Sequence, residues 1–217
     1  ALIAMRLSHE GRKPPILMLE GASEPFGEHT WSFHEADVDP ADLVWLKSMM
    51  AHAWSAQRVR FQSLERHLQS GYASLTSASV SAAMAGLPNV DLRTGARVAS
   101  LAPTAVTLAD GTTIEASCVI DCRGYQPSAS LVLGYQKFVG LEVELDAPHG
   151  LAEPVIMDAS VDQRDGYRFV YLLPFSPTRV LIEDTRYSDG EALDLQALAA
   201  DIARYAEAQG WSIRQVV

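Results

Sequence analysis

The sequence predicts a mixed α/β (α+β) fold, a nucleotide-binding core that carries an antiparallel-sheet layer. Three features point to it. Residues 1–20 read as a helix followed by the short apolar run Ile16-Leu17-Met18-Leu19 closed by Glu20, the second half of a βαβ unit. Residues 91–121 change to short strands with turn signals between them. Residues 136–185 hold four candidate strands in succession, and an amphipathic helix follows. Such blocks of elements pack as layers around a core.

Each element has a local reason. The helix over residues 1–10 stops at Gly11, and Pro14-Pro15 break the chain. The run 16–19 is apolar throughout, as suits a parallel strand buried on both faces. Residues 21–35 read as loop, with Gly21, Pro25 and Gly27. Asp39-Pro40 open a helix over 40–57 with Leu43, Leu46, Met49 and Met50 on one stripe. Arg58–Phe61 reads as a short strand, and a further helix starts near Thr76 or Ser77 and ends by Gly86-Leu87-Pro88. Asp110-Gly111 marks a hairpin, and Ala116–Asp121 reads as a buried strand. Strands are expected at 136–145, 154–159, 167–173 and 179–183. The helix over 190–209 turns Leu193, Leu195, Leu198, Ile202 and Tyr205 to one side and ends at Gly210. Ala1–Leu7 opens without a helix cap and Trp211–Val217 reads as a strand, so both ends are expected to be edges of a fragment.

Composition narrows the function. Of 217 residues, 48% are hydrophobic and 20% charged, which suits a packed domain rather than a disordered one. The net charge of -10 opposes binding to nucleic acid, which needs cations to neutralise phosphates. It also disfavours anionic lipid surfaces, so membrane contact would have to be a local apolar patch. Two cysteines, Cys118 and Cys122, cannot build a disulfide scaffold or a zinc site and read as buried free thiols, consistent with a reducing cytoplasm. No apolar run reaches the roughly 18 residues of a membrane-spanning helix.

Five groups of residues can carry chemistry. Glu20, at the end of a nucleotide-fold strand, can accept hydrogen bonds from ribose hydroxyls or be a solvated strand-end carboxylate. In Asp121-Cys122-Arg123-Gly124, glycine permits close approach of a ligand, and Arg123 can pair with Asp121 or with a phosphate. The stretch 27–34 is rich in polar and aromatic groups, but its histidines have no third ligand in the motif and are expected to be hydrogen-bonded rather than metal-bound. Glu183 and Asp184 close an apolar strand. Neighbours on a strand point to opposite faces, so one can face a cavity while the other faces water or caps a turn. A carboxyl group in an apolar cavity has a raised pKa and can act as an acid, a base or a stabiliser of a cation. Tyr167, Phe169, Tyr171 and Phe175 can pack a core or present ring faces to a cation.

GEHTWSF at 27–33, VIDCRGY at 119–125, GYQKFVG at 134–140, APHGL at 147–151, VIMDA at 155–159, GYRFVYLLP at 166–174 and LIEDT at 181–185 occur in this order. Together they resemble the bacterial lycopene beta-cyclases over nearly the whole chain. VIDCRG is shared with wider flavoprotein relatives, whereas HTWSF, MDA, GYRFVY and IEDT in combination are more specific. The resemblance implies a p-hydroxybenzoate hydroxylase-like fold. Residues 1–35 and 88–133 would form part of a discontinuous FAD-binding domain, 36–87 a helical insertion, and 134–217 an incomplete antiparallel substrate domain.

It further implies non-redox cyclisation of lycopene, through gamma-carotene to beta-carotene, that needs reduced FAD with NAD(P)H as electron source. Glu183 would act as acid or charge stabiliser, with Asp184 a second candidate. Glu20 would contact the FAD ribose, and Asp121, Arg123 and Gly124 would lie on the flavin side. The expected location is the bacterial cytoplasm, in peripheral contact with the inner face of the membrane. The family's N-terminal glycine-rich loop and a C-terminal flavin motif are missing from these residues. Cys122 stands where Gly or Ala is expected and Glu28 where Asn is common. This stretch alone is therefore expected to be inactive. The alternative is a redox flavoprotein of the same fold, a monooxygenase or prenyl-chain reductase. A carotenoid-binding module is the non-enzyme reading.

Overall fold

The computed structural model describes residues 1–10, 13–126, 128–164 and 166–217. In chain order the elements are α1 (Leu2–His9), β1 (Ile16–Leu19), β2 (Thr30–His34), α2 (Pro40–Leu46), β3 (Met50–Trp54), β4 (Gln57–Phe61), β5 (Leu64–Leu68), β6 (Tyr72–Thr76), α3 (Ser77–Ala85), β7 (Val90–Arg93), β8 (Val98–Ala102), β9 (Ala105–Leu108), β10 (Thr113–Glu115), β11 (Tyr135–Leu145), β12 (Val155–Asp158), β13 (Tyr167–Pro174), β14 (Arg179–Ser188), α4 (Leu195–Ala208) and β15 (Ile213–Val216). They divide into two compact units. One comprises residues 1–33, 37–51 and 73–129, the other 34–36, 52–72 and 130–217.

In the first unit, β1 pairs in parallel with β7, from Ile16 opposite Val90 to Leu19 opposite Arg93. Its core joins Ala4 and Met5 of α1 to Trp45, Leu46 and Met49, and to Leu75, Val80 and Met84. Asp39 caps α2 by accepting from the Ala41 N–H, and Pro40 sits in the first turn, where its missing N–H costs nothing. Thr76 and Ser79 form a reciprocal capping box at the start of α3. A meander, β8-β9-β10, completes this unit, and β2-β6-β3 is a further three-stranded sheet.

The second unit is a seven-stranded sheet in the order β15-β11-β14-β13-β12-β4-β5. All neighbours are antiparallel except β12 and β4. One face of the sheet is covered by α4. Ile202, Tyr205 and Ala206 of the helix pack with Val143, Leu145, Val170, Leu172, Val180 and Ile182.

Several expectations need correction. The helix expected over 40–57 ends at Leu46; after a 3-10 turn at Lys47–Met49 the chain becomes β3. Its apolar stripe supports a helix only to Met49, and from Met50 burial alternates with period two. Residues 27–34, expected as loop, include β2. Residues 36–87 are not a helical insertion, since four of their elements are strands. The β4–β5 hairpin, Phe61 opposite Leu64, extends the sheet formed by residues 134–217. Ala116–Asp121 is not a strand, and both cysteines are free but exposed. An apolar run becomes a buried strand only where neighbouring strands satisfy its backbone, and β1-β7 is two-stranded among the described residues. The last helix starts at Leu195 rather than residue 190, because the Asp194 carboxylate caps it through the Ala197 N–H.

Candidate functional site

The acidic pair stands midway along β14, which runs on to Ser188 instead of ending at residue 183, and the ladder settles which way each carboxylate points. Glu183 lies opposite Gly140 of β11 and Tyr171 of β13. Asp184 lies opposite Val139 and Val170. Cross-strand partners share a face, so the two acids point to opposite sides of the sheet.

Asp184 is on the side covered by α4 and is 0% exposed. Arg168 donates to its Oδ2 through Nε at 2.8 Å and Nη2 at 2.6 Å. Arg186 donates to its Oδ1 through Nε at 3.1 Å. Asp201 of α4 binds Arg186 and Arg204, with Arg168 3.8 Å away. Burial pushes the Asp201 carboxyl up, but Arg204, Arg168 and Arg186 together hold it below its ordinary value. Asp184 therefore faces neither water nor a turn; it is the buried anion of an ion network that ties β13 and β14 to α4.

Glu183 is on the other side, half-buried. Along this side Leu181, Thr185 and Tyr187 of β14 run beside Phe138 and Gly140 of β11 and Tyr167, Phe169, Tyr171 and Leu173 of β13. Tyr167, Phe169 and Tyr187 form a ring triangle with centroids 6.2–6.4 Å apart. Phe138 is 53% exposed. The Tyr171 hydroxyl is 2.9 Å from that of Tyr72. Within this apolar and aromatic surface the carboxylate receives a hydrogen bond from the Thr185 hydroxyl at 2.8 Å. Burial pushes the Glu183 carboxyl above the ordinary glutamate range, and the Thr185 bond offsets only part of that. A carboxyl group in this setting stays protonated where an exposed one has ionised, and so has a proton to give.

The same shift has a consequence for stability. The folded carboxyl titrates above the unfolded one, so its contribution is complete below the unfolded value and is lost as pH rises through the folded value. Glu183→Gln, which stays neutral, is expected to match the parent in acid and to gain in relative Tm as pH rises from about 4 to about 8. A difference in Tm that does not change across this range would remove the burial effect.

The residues expected at a cofactor belong to the first unit. Glu20 follows β1 at its carboxyl end, and its Oε1 accepts from the Ala22 N–H at 2.9 Å. Asp121 and Arg123 pair with each other, Nε to Oδ1 and Nη2 to Oδ2 both at 2.9 Å. The Arg123 side chain and backbone N–H hold the Asp121 carboxyl down at about 2. Gly124 follows with φ +81°, a conformation that favours glycine. Of the expected histidines, His34 hydrogen-bonds Gln57 at 2.8 Å, and no group of three or more metal-type ligands occurs among the described residues.

Two residues of the Glu183 surface escaped the sequence reading. Tyr72 reaches it from a distant segment, and no local signal announces that. Gly140 did leave a signal, a glycine interrupting an alternating strand, which marks a bulge or a close approach.

Comparison with known proteins agrees with this architecture. Solved structures with similar folds include a geranylgeranyl bacteriochlorophyll reductase-like protein from Thermoplasma acidophilum, with TM-score 0.65 and 13% identity, covering 100% of this chain and 62% of that one. A variant of PqsL from P. aeruginosa matches with TM-score 0.60 and 12% identity, covering 97% and 64%. These establish the fold alone. In sequence, a lycopene beta-cyclase of Paracoccus sp. is 48% identical over 215 residues, 99% of this chain and 55% of that protein. One from Pseudescherichia vulneris is 41% identical over 99% of this chain and 56% of its own length. The chain thus spans about half the length of these curated relatives. The family described as lycopene cyclase protein matches residues 1–217. With the whole chain matched and nearly half its residues shared with a curated member, this protein belongs to the lycopene cyclase family.

Proposed function

We propose that this chain, within a polypeptide of the relatives' full length, forms part of a lycopene beta-cyclase, an isomerase (intramolecular lyase) that closes β-ionone rings on lycopene. The observation that carries the reading is Glu183, a half-buried carboxyl group with raised proton affinity on an aromatic, apolar surface. Protonation of the terminal double bond by Glu183 gives a tertiary cation. An internal double bond attacks it and closes the six-membered ring. Loss of one ring proton leaves the β-ring, so one proton enters, one leaves, and mass is unchanged. The ring faces beside Glu183, and the carboxylate left after transfer, stabilise the cation. Repetition at the other end takes gamma-carotene to beta-carotene.

The first unit fits FAD. Glu20 stands at the carboxyl end of a parallel strand with one oxygen fastened by its own turn, a suitable acceptor for ribose hydroxyls. An added Cβ would meet nothing within 4 Å at Gly21 or Gly124, which leaves room for a cofactor to approach. Asp121, Arg123 and Gly124 would border the flavin side. Reduced FAD, maintained by NAD(P)H, would supply negative charge when bound. Asp184 acts through Arg168 and Arg186 as a positioning residue for the strand that presents Glu183. No helix among the described residues is long and apolar enough to cross a membrane. Because lycopene is a hydrocarbon, we place the enzyme in the bacterial cytoplasm in peripheral contact with the membrane.

The test is the mass of the product. A polypeptide of the relatives' length carrying this chain, expressed in lycopene-accumulating bacteria, should yield gamma- and beta-carotene with the mass of lycopene. A product heavier by oxygen or by added hydrogens would replace this reading with that of a monooxygenase or prenyl-chain reductase.

A further inference from the structure

The β4–β5 hairpin carries an apolar pair at its tip, in water. Phe61 and Leu64 are the last cross-strand partners, joined by the exposed, uncharged residues Gln62 and Ser63. Phe61 is 39% exposed and Leu64 47%. Partners across a ladder share a face, so the two stand side by side. Behind them on that face Val59 pairs with Arg66. Arg66 is exposed and forms no ion pair among the described residues. The other charges of the hairpin lie on its opposite face and are committed there. Arg58 holds Glu153 at 2.6 Å and Glu65 at 3.1 Å, Arg60 lies 3.6 Å from Glu65 and 3.7 Å from Asp158, and His67 is 2.9 Å from Glu153. These contacts brace the hairpin against β12 and the loop before it.

The face with the apolar tip continues onto the Glu183 side of the large sheet. Val59 lies opposite Met157 of β12, and the Met157 sulfur accepts from the Tyr167 hydroxyl at 3.4 Å. Tyr167 is one of the three stacked rings on that side. An apolar stripe thus runs from the edge of the sheet at Phe61 and Leu64, through Val59 and Met157, to the rings beside Glu183.

We propose that the Phe61–Leu64 tip is where the protein enters a lipid bilayer, with these two side chains among the acyl chains and Arg66 on an anionic headgroup phosphate. The inference rests on the cyclase reading and names the surface by which that enzyme meets a hydrocarbon substrate. The charge pattern selects the partner. The chain as a whole carries -10, which anionic lipid repels, so contact must be local. An apolar pair with a cation one register step behind it matches the layers of a bilayer, hydrocarbon inside and phosphate at the surface. The outer edge of β5 bears Glu65, Arg66 and His67, and charges along an edge disfavour the addition of a second copy there.

The test measures co-sedimentation of a polypeptide of the relatives' length with vesicles of phosphatidylglycerol and phosphatidylcholine in equal parts, without lycopene. The parent should bind. Phe61→Ser combined with Leu64→Ser should weaken binding about 10-fold or more, the effect of withdrawing large apolar side chains from hydrocarbon. Arg66→Gln should weaken it about 5-fold and leave binding to phosphatidylcholine alone unchanged. Ser63→Asp, which suits a turn and removes no packed side chain, should also weaken binding. Ring closure should fall in step with binding for lycopene in vesicles and stay at the parental level for lycopene in detergent micelles. Parental binding by the double variant or by Ser63→Asp overturns the proposal, as does a parent that ignores the vesicles. If parental binding comes with a large fall in Tm, the remainder of the polypeptide covers the tip. A parental dimer in solution that these substitutions dissociate would assign the tip to a second copy and overturns the proposal too. Failure of the cyclase reading is separate: vesicle binding then follows Phe61 and Leu64 as described, while the parent leaves lycopene unconverted.

Discussion

Replacing Glu183 with Gln is expected to lower the rate of β-ring formation by about 10²–10⁴-fold, the usual contribution of a positioned general acid. Gln keeps the size of the side chain and can still accept from the Thr185 hydroxyl, so the loss isolates the transferable proton. The expectation extends to pH. Burial raises the carboxyl above the ordinary glutamate range, so the protonated form persists as pH rises and is lost only through that raised value. If Glu183 gives the proton, kcat/KM falls as pH rises through this value. If it acts only as a charge, the rate rises instead, because the ionised form is then the working one. A Glu183→Gln variant with parental rates and an unchanged pH profile would falsify the assignment of acid catalysis to this residue. Asp184 serves as the internal control, since it neighbours Glu183 in sequence yet points to the opposite side of the sheet.

Removing Asp184 has the largest expected effect on stability. Asp184→Ala leaves Arg168 and Arg186, 4% and 7% exposed, without their shared carboxylate. Breaking a buried ion pair by deleting one partner costs roughly 3–5 kcal/mol, because the remaining charge stays desolvated. In a chain of this size that corresponds to a fall in Tm on the order of 10 °C. Asp201 still pairs with Arg186, so the loss falls mainly on Arg168, which is 3.8 Å from Asp201. Asp184→Asn, which keeps oxygen acceptance on one side, should lose less. Chemical denaturation of the three proteins decides the matter; a loss below about 1 kcal/mol for Asp184→Ala would mean that the network rearranges or is wet. Activity should fall in both variants only insofar as β14 shifts, with the pH profile of the remaining activity unchanged.

Much of this molecule was legible from local sequence. Runs of apolar and aromatic residues within 136–145, 167–173 and 179–183 announced β11, β13 and β14. Asp39-Pro40 and Thr76 announced helix starts, because capping is decided within four residues. The motifs announced the family. The errors share a cause. Residues 50–57 and 116–121 have compositions that suit more than one state, and their state depends on which strands stand beside them. β4 and β5 were assigned to a separate insertion because nothing in Gln57–Leu68 says that β4 will pair in parallel with β12, about a hundred residues away.

The acidic pair shows where that division falls. Period two along a strand dictated from sequence alone that Glu183 and Asp184 part company. Which of them meets the aromatic surface and which is buried with two arginines was decided by α4 covering one face of the sheet, and by Gly140 and Tyr171 standing opposite Glu183. A carboxyl group's proton affinity depends on its dielectric surroundings, and those surroundings are built by residues distant in the chain.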